Sequence, residues 1–387
     1  MLRHSEREAG DSSGSARRPC IAIDARKIAD FGIGTSIQGL LAGLAAIETP
    51  ERFLVVLPPG ASAPCAGPRF RTAIARSRGY GLAEHFELPR IARRGGASLY
   101  HAPHYVLPVF LRGPAVVTIH DLIHLRHPEF LPGRAARAYA RFMLRRSFER
   151  AARVITVSAA ARGELLDTFG GDPGRVVVVP NGIDERFFAA VPEHVLRELR
   201  THLGLPGRFV LYAGNVKPHK NLERLVDAMA HLVSQGAAEG VDLVLAGASR
   251  EKSAALCERA TRRGIGGRVR ALGWLEHEDL RALLPLATVF VFPSLVEGFG
   301  LPPLEAMASG VPVVAAGIPA LQEVCGGAAR HVDPLDVESI AAGIAAVLTD
   351  GPLHAELSAR GLERARCFRR IDQARATLSV WREVLAG

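Results

Sequence analysis

Short runs of β-branched and aromatic residues alternate with helix-length segments along almost the whole chain, which predicts repeated strand–helix units and therefore a parallel sheet. Two series stand apart. The first places strands at residues 21–23, 53–57, 98–101, 116–119, 154–157 and 176–179. The second places them at 209–213, 241–246, 269–272, 289–292 and 311–315. Between the two series lie Pro180-Asn181-Gly182-Ile183-Asp184 and a polar, helix-like stretch over 192–203, so the domain junction falls there. Residues 371–385 carry apolar side chains at Ala374, Leu378, Trp381 and Val384, the spacing of one helix face. No short-period repeat is present.

At 387 residues the chain is long enough for two domains, and 48% hydrophobic with 22% charged residues is ordinary globular usage. Such a body needs no disulfide or metal staple. The five cysteines, Cys20, Cys65, Cys257, Cys325 and Cys367, are scattered without a C-x-x-C pair or histidines at zinc-site spacing, and read as reduced thiols of a cytoplasmic protein. Residues 1–18 mix both charge signs with Ser and Gly; they predict a disordered tail and lack the apolar centre of a signal peptide. No uninterrupted apolar run of spanning length occurs, so no transmembrane helix is expected.

The formal charge of +9 is uneven. Residues 1–190 hold 26 Lys+Arg against 17 Asp+Glu, whereas residues 191–387 balance at 22 each. Much of the excess lies in residues 134–153, where Arg134, Arg137, Arg141, Arg145, Arg146, Arg150 and Arg153 face a single acid, Glu149. A solvated helix face is the plain reading of such a run. A contact with anionic membrane is the second, because at 100° per residue Arg134, Arg137, Arg141 and Arg145 share one side while Ala135, Tyr139, Phe142 and Met143 fall opposite. Nucleic acid is disfavoured, since no binding motif or aromatic platform accompanies the arginines.

Four constellations carry candidate chemistry. After the first strand, Asp24 and the turn Gly32-Ile-Gly34-Thr35 lead into a helix, where backbone N–H groups can approach an anion. The third glycine of a dinucleotide fingerprint is missing, which argues against a dehydrogenase. The second is Gly214-Asn-Val-Lys217-Pro-His219-Lys220: a chain with four lysines against 44 arginines places two of the four in one strand-end loop, as a phosphate site would use compact point charges. The third is Glu297-Gly298-Phe299-Gly300-Leu301-Pro302-Pro303-Leu304-Glu305, a glycine turn entering a helix with a carboxylate at each end. Two carboxylates also suit a glycosidase, but the glycine turn between them speaks for phosphate. The fourth is the histidine group: His120 ends a strand, the position at which open α/β sheets bind ligands, while His101, His124 and His127 take a structural reading. Zinc is disfavoured, because no helical i, i+4 pair or third carboxylate ligand accompanies them.

Taken in order, the glycine loop at Gly32 and Gly34, His120, the Val-Pro-Asn-Gly-Ile-Asp hinge, the G-x5-K loop ending at Lys220 and the E-x7-E block resemble a retaining family 4 glycosyltransferase of the GT-B fold. The resemblance spans residues 21–385 and points most closely to bacterial mannosyltransferases of surface-polysaccharide synthesis. It implies an α/β architecture with two Rossmann-like parallel-sheet domains facing across a cleft. A tail at 1–18 would precede an acceptor domain at 19–190 and a nucleotide-sugar domain at 191–370, and a helix at 371–387 would pack back on the first domain. It implies transfer of a hexose, most plausibly mannose, from a nucleoside-diphospho-sugar to a polysaccharide or lipid-linked glycan, with retention and without metal or other cofactor. Glu297 and His120 would serve the transferring sugar and Glu305 the ribose. Gly32, Gly34, Lys217, Lys220 and the Gly298, Phe299, Gly300 and Leu301 turn would meet the diphosphate or sugar. Where many relatives carry arginine, this chain has Asn215 and His219. A non-catalytic sugar-nucleotide-binding relative and an epimerase or phosphorylase on the same fold remain as alternatives.

Overall fold

The computed structural model describes residues 18–387 except Arg78, Pro132, Ala248 and Ser249, so all but Arg18 of the expected tail lies outside the described residues. Its first seven strands are β1 (Cys20–Asp24), β2 (Arg52–Leu57), β3 (Phe70–Ile74), β4 (Leu99–Ala102), β5 (Ala115–Thr118), β6 (Arg153–Thr156) and β7 (Val176–Val178). They form one parallel sheet in the order β3-β2-β1-β4-β5-β6-β7. The remaining six are β8 (Arg208–Ala213), β9 (Val241–Ala246), β10 (Val269–Gly273), β11 (Val289–Phe292), β12 (Val313–Ala316) and β13 (Ala329–Val332). They form a second parallel sheet, β10-β9-β8-β11-β12-β13. Helices cover both sheets, and the cores of the two domains are separate. In each sheet the strand order reverses beside the first strand, between β1 and β4 and between β8 and β11. That reversal opens a crevice at the carboxyl ends of the strands.

Two strands carry no hydrophobic run to announce them. β3, Phe-Arg-Thr-Ala-Ile, has both Arg71 and Thr72 exposed, and β13 is the short Ala-Arg-His-Val. Both are sheet edges, where one side needs no apolar cover.

The helix Arg370–Ala386 crosses back from the second domain and completes the core of the first. Trp381 is fully buried there, 6.1 Å from Phe53 and 5.3 Å from His101 between ring centroids, with Ala374, Leu378 and Val380 in the same cluster. The crossing needs backbone to touch backbone. A Cβ on Gly43 would lie 2.2 Å from the Arg370 carbonyl oxygen, and one on Gly182 would lie 2.5 Å from the Arg370 Cα. A buried polar knot fixes the register: Ser36 Oγ donates to Asn181 Oδ1 at 2.6 Å, Gln373 Nε2 donates to Ser36 Oγ at 3.2 Å, and the Gly182 amide donates to Gln373 Oε1 at 3.0 Å. Asp184 then ties the junction to both domains, accepting from Arg186 at 2.7 Å, from His277 at 3.2 Å and from Arg370 at 3.1 Å. Burial alone would raise its carboxyl; the hydrogen bonds from His277 and Arg186 hold it well below the usual range.

The arginine-rich segment is the helix Arg134–Arg150, but its buried side differs from the expected one. Ala140, Met143, Leu144, Ser147 and Phe148 face the core, while Ala135 and Phe142 stand exposed among the arginines. Met143 and half-buried Tyr139 lie toward the core as expected; Phe142, 57% exposed, does not. The stripe that packs also takes in the polar Ser147, whose Oγ accepts from the Leu107 amide at 3.0 Å.

Candidate functional site

The two sheets turn their carboxyl ends toward one another, and the loops leaving β1, β5, β8 and β11 enclose a cavity of about 260 Å³. It gathers Gly32, His120, Lys217, Lys220, Glu297, Gly298, Phe299, Gly300 and Leu301, nine positions drawn from four separate stretches of sequence. Gly34 and Glu305 are not among its lining residues. Gly34 lies inside the helix Ile33–Ala45 with its amide bonded to the Asp30 carbonyl at 2.8 Å, and the Ile28 carbonyl would lie 2.5 Å from a Cβ there. Its glycine serves packing.

The lysine loop leaves β8 and is fixed by Asn221, whose left-handed backbone (φ 63°) turns the chain into the helix Leu222–Ser234. The Asn221 side-chain amide donates to the Pro293 carbonyl at 3.0 Å and to the Pro334 carbonyl at 2.6 Å, which clips the lysine loop to the start of the glutamate loop. Lys220 Nζ thereby lies 2.5 Å from Glu297 Oε1 and 5.0 Å above the Phe292 ring, and both side chains of the ion pair are nearly enclosed. His219 beside it is buried, and burial together with Lys220 and Lys217 pushes its imidazole down to about 3, so it is neutral at physiological pH.

The glutamate loop leaves β11 and makes the contact between domains. A Cβ on Gly298 would come 1.9 Å from the His120 carbonyl oxygen. Only glycine fits. The Gly298 carbonyl in turn accepts from Ser158 Oγ at 2.7 Å, and Glu323 of the second domain accepts from the Ala159 and Ala160 amides at 2.7 and 2.9 Å, capping a first-domain helix. His120 Nε2 donates to the Pro103 carbonyl at 3.1 Å, and burial lowers its pKa, so a neutral imidazole with Nδ1 unprotonated faces the cavity.

Glu305 lies one turn into the helix Leu301–Ala308, buried, with no donor on its carboxyl among the described residues. Burial raises it to about 7 against the lowering influence of His277 and Arg370. Its oxygens are not among the fully enclosed atoms that lack a partner, so the carboxyl stays open to a donor from solvent or a ligand.

Sequence reasoning missed several lining residues. His124 lines the cavity, which corrects its structural reading; His101 is buried against Trp381 with Nε2 2.9 Å from Thr118 Oγ1, and His127 pairs with Glu129 at 3.0 Å. Tyr80, Tyr105, Phe31 and Asp121 also line it. Tyr80 and Tyr105 belong to loops whose spacing carries no motif, whereas Phe31 and Asp121 directly adjoin Gly32 and His120. Deeper still, Asp24 is fully buried: burial would raise its carboxyl, but bonds from His104 and from Arg26 at 2.8 and 2.9 Å hold it well below the usual range. Arg26 also reaches Glu84 at 2.8 Å, so this network anchors the loop that carries Gly32. Among the described residues no cluster of three or more His, Cys, Asp or Glu side chains has a metal-holding arrangement.

The lysine–glutamate cleft thus lies between two facing parallel-sheet domains. Residues 199–364 match the family model of glycosyl transferases group 1, and residues 32–187 match that of Glycosyltransferase Family 4. Over 270 residues the chain is 34% identical to O-antigen chain mannosyltransferase B of Escherichia coli, covering 70% of each protein. It is 32% identical over 260 residues to the serotype-specific mannosyltransferase WbdA of Escherichia coli, 65% of this chain but only 31% of that protein. Anabaena HepE, solved in complex with UDP and glucose, superposes with a TM-score of 0.75 at 20% identity, covering 95% of this chain and all of that one. The chain belongs to the family 4, group 1 glycosyltransferases and has the GT-B fold.

Glu305 yields a stability prediction. Its folded pKa of about 7 lies above the unfolded value, so the native state binds more protons than the unfolded state between roughly pH 4.5 and 7, and stability falls as pH rises through that window. Glu305→Gln removes the ionisation and is expected to melt higher than the wild type at pH 8, by up to about 3 kcal/mol, with the gap closing toward pH 5. A gap independent of pH, measured by thermal denaturation, overturns the assignment.

Proposed function

We propose that the protein transfers a hexose, mannose in the first instance, from a nucleoside-diphospho-sugar to a surface-polysaccharide or lipid-linked glycan, with retention and without metal. The observation that carries this reading is the convergence of Glu297, Lys220, His120 and the Gly298–Leu301 turn on one cavity between two domains. The 34% identity to an O-antigen mannosyltransferase supports mannose and the polysaccharide acceptor. The complex of HepE with UDP and glucose supports a nucleoside-diphospho-sugar donor.

Transfer requires that a diphosphate leaves while positive charge develops at the anomeric carbon of the sugar. Lys220 and Lys217 serve the diphosphate, which makes a divalent cation unnecessary for the leaving group. Glu297 and His120 serve the sugar: a carboxylate and a neutral imidazole hold its hydroxyls near the developing charge. Glu305 accepts from the ribose diol, and the backbone at Phe299, Gly300 and Leu301 completes the turn around the phosphates.

The ion pair between Lys220 and Glu297 then has a clear place in the cycle. Within the protein each neutralises the other at 2.5 Å; the donor separates them, giving the ammonium a phosphate and the carboxylate a sugar hydroxyl.

We infer further that residues 134–153 bring the protein to the inner face of the cell membrane. Arg134, Arg137, Arg141, Arg145 and Arg150 are exposed, and Phe142 between them supplies an apolar anchor. The ring pair Phe86 and Phe110, tilted by 33° with centroids 4.4 Å apart and more than half exposed, flanks the same helix, whose Arg146 donates to the Val109 carbonyl at 2.7 Å. No helix among the described residues is long and apolar enough to cross a membrane.

Three measurements test the reading. Incubated with GDP-mannose, UDP-glucose or ADP-glucose and a mannose-terminated oligosaccharide, the protein is expected to release one nucleoside diphosphate, unaffected by EDTA and with the anomeric configuration retained in the product. Turnover lost on adding EDTA, or inversion seen by NMR, overturns the corresponding part. Glu297→Gln is expected to abolish transfer while free nucleoside diphosphate binds roughly fivefold tighter by calorimetry, because Lys220 is released. Weaker binding removes the exchange. Vesicles containing phosphatidylglycerol are expected to capture the protein at low salt and release it at about 1 M salt, where screening acts within about 3 Å. Equal capture by neutral vesicles argues against the contact.

A further inference from the structure

The first-domain wall of the cavity carries a group of aromatic rings that neither the motifs nor the donor roles explain. Tyr80, in the loop after β3, holds a left-handed backbone conformation (φ 64°), which is costly for a bulky side chain and persists where surroundings impose it. Its ring is 42% exposed and lines the cavity. Tyr105, from the loop after β4, lies 5.9 Å from it between centroids; Tyr139, from the arginine-rich helix, meets it edge-on at 6.3 Å. Lys27 Nζ stands 4.5 Å from the Tyr80 ring centre and is itself pinned by Asp30 at 2.8 Å. His124 then meets Tyr105 edge-on at 5.7 Å. Three loops and a helix thus converge to hold two phenol rings at a cavity wall, opposite the loops that carry Lys220 and Glu297.

We propose that Tyr80 and Tyr105 form the acceptor subsite, a platform for the ring of a neutral pyranose. The inference deepens the transferase reading and rests on it for the identity of the reaction, although sugar binding at the platform is testable by itself. Rigid aromatic rings with hydroxyl edges offer large amphipathic area at little entropic cost, which suits a ligand whose faces are apolar and whose rim is hydroxylated. Lys27 fixes Tyr80 from one side and so presents the ring's remaining surface to the cavity. Asp121, which lines the same wall and uses Oδ1 to accept from the Ile123 amide at 3.0 Å, keeps a second oxygen for an acceptor hydroxyl.

The test uses the full chain and methyl α-mannopyranoside as probe. Saturation-transfer NMR is expected to show transfer from tyrosine ring protons to the sugar in the wild type and in Tyr80→Phe, and none in Tyr80→Ala. In steady-state kinetics Tyr80→Ala and Tyr105→Ala are expected to lower kcat/KM for the acceptor at least about tenfold, while the donor KM stays within about twofold. Tyr80→Phe, which keeps the ring, is expected to recover most of that loss, and unchanged melting temperatures establish that the variants fold. Wild-type acceptor kinetics in Tyr80→Ala, or a loss that falls on the donor KM, overturns the platform while leaving the transferase reading intact. Absence of turnover with every sugar nucleotide overturns that reading instead, and the NMR result then stands or falls alone: sugar contact at Tyr80 supports the platform, and no contact removes it.

Discussion

Everything at the cleft depends on the closeness of two backbones, Gly298 of the second domain against the carbonyl of His120 in the first. A side chain at 298 has nowhere to go. Because that contact is direct, Glu297 and His120 are brought to the same cavity from opposite sheets. Ser158 and Glu323 reinforce the closure with hydrogen bonds across the interface. A second set of glycines, Gly43 and Gly182, allows the chain to recross at Arg370 and bury Trp381 in the first core. The domains are therefore joined at two places that tolerate no added atoms, the cleft floor and the crossing.

Two kinds of charge burial sit on this frame, and they differ in purpose. Asp24 with Arg26 and Asp184 with Arg186, His277 and Arg370 are internally paired networks: each carboxylate is held well below its usual range by its partners, and each fixes a loop or a junction. Such networks specify geometry more than they add stability. Glu305 and the Lys220–Glu297 pair are different. Among the described residues Glu305 is buried with no donor to accept from, and Lys220 and Glu297 have mainly each other. Their partners in the proposed cycle come from the donor substrate.

The sheet pattern was legible because buried parallel strands are continuous hydrophobic runs, as Val289–Phe292 is, and the helix over 371–385 because its apolar period is unbroken. β3 and β13 were not legible, since an edge strand such as Phe70–Ile74 is free to carry Arg71 and Thr72 outward. The lysine and glutamate loops were readable as motifs because each gathers its glycines and charged residues within one short segment. Tyr80, Tyr105 and His124 were unreadable for the opposite reason: they come from two loops and the short helix Ile123–Arg126, and only the fold places them on one wall. Phe142 failed through periodicity itself. An ideal helical wheel set it opposite Arg134, Arg137, Arg141 and Arg145, but the buried stripe runs through Ala140, Met143, Leu144 and Ser147 and leaves it exposed among the arginines.

Arginine outnumbers lysine eleven to one in this chain, yet Lys217 and Lys220 line the cavity and Lys27 stands at its tyrosine wall. A guanidinium prefers a planar, bidentate partner and would hold a carboxylate such as Glu297 in a fork that is hard to open. An ammonium is a compact point charge that exchanges one oxygen for another with little geometric loss. At a position where a carboxylate must yield to a phosphate and return each cycle, that difference favours lysine. The same reasoning explains why arginine is kept for the permanent networks, at Arg26, Arg186 and Arg370, where no exchange is required. In the proposed cycle the choice between two cations separates the contacts that hold the fold from those that open for the donor.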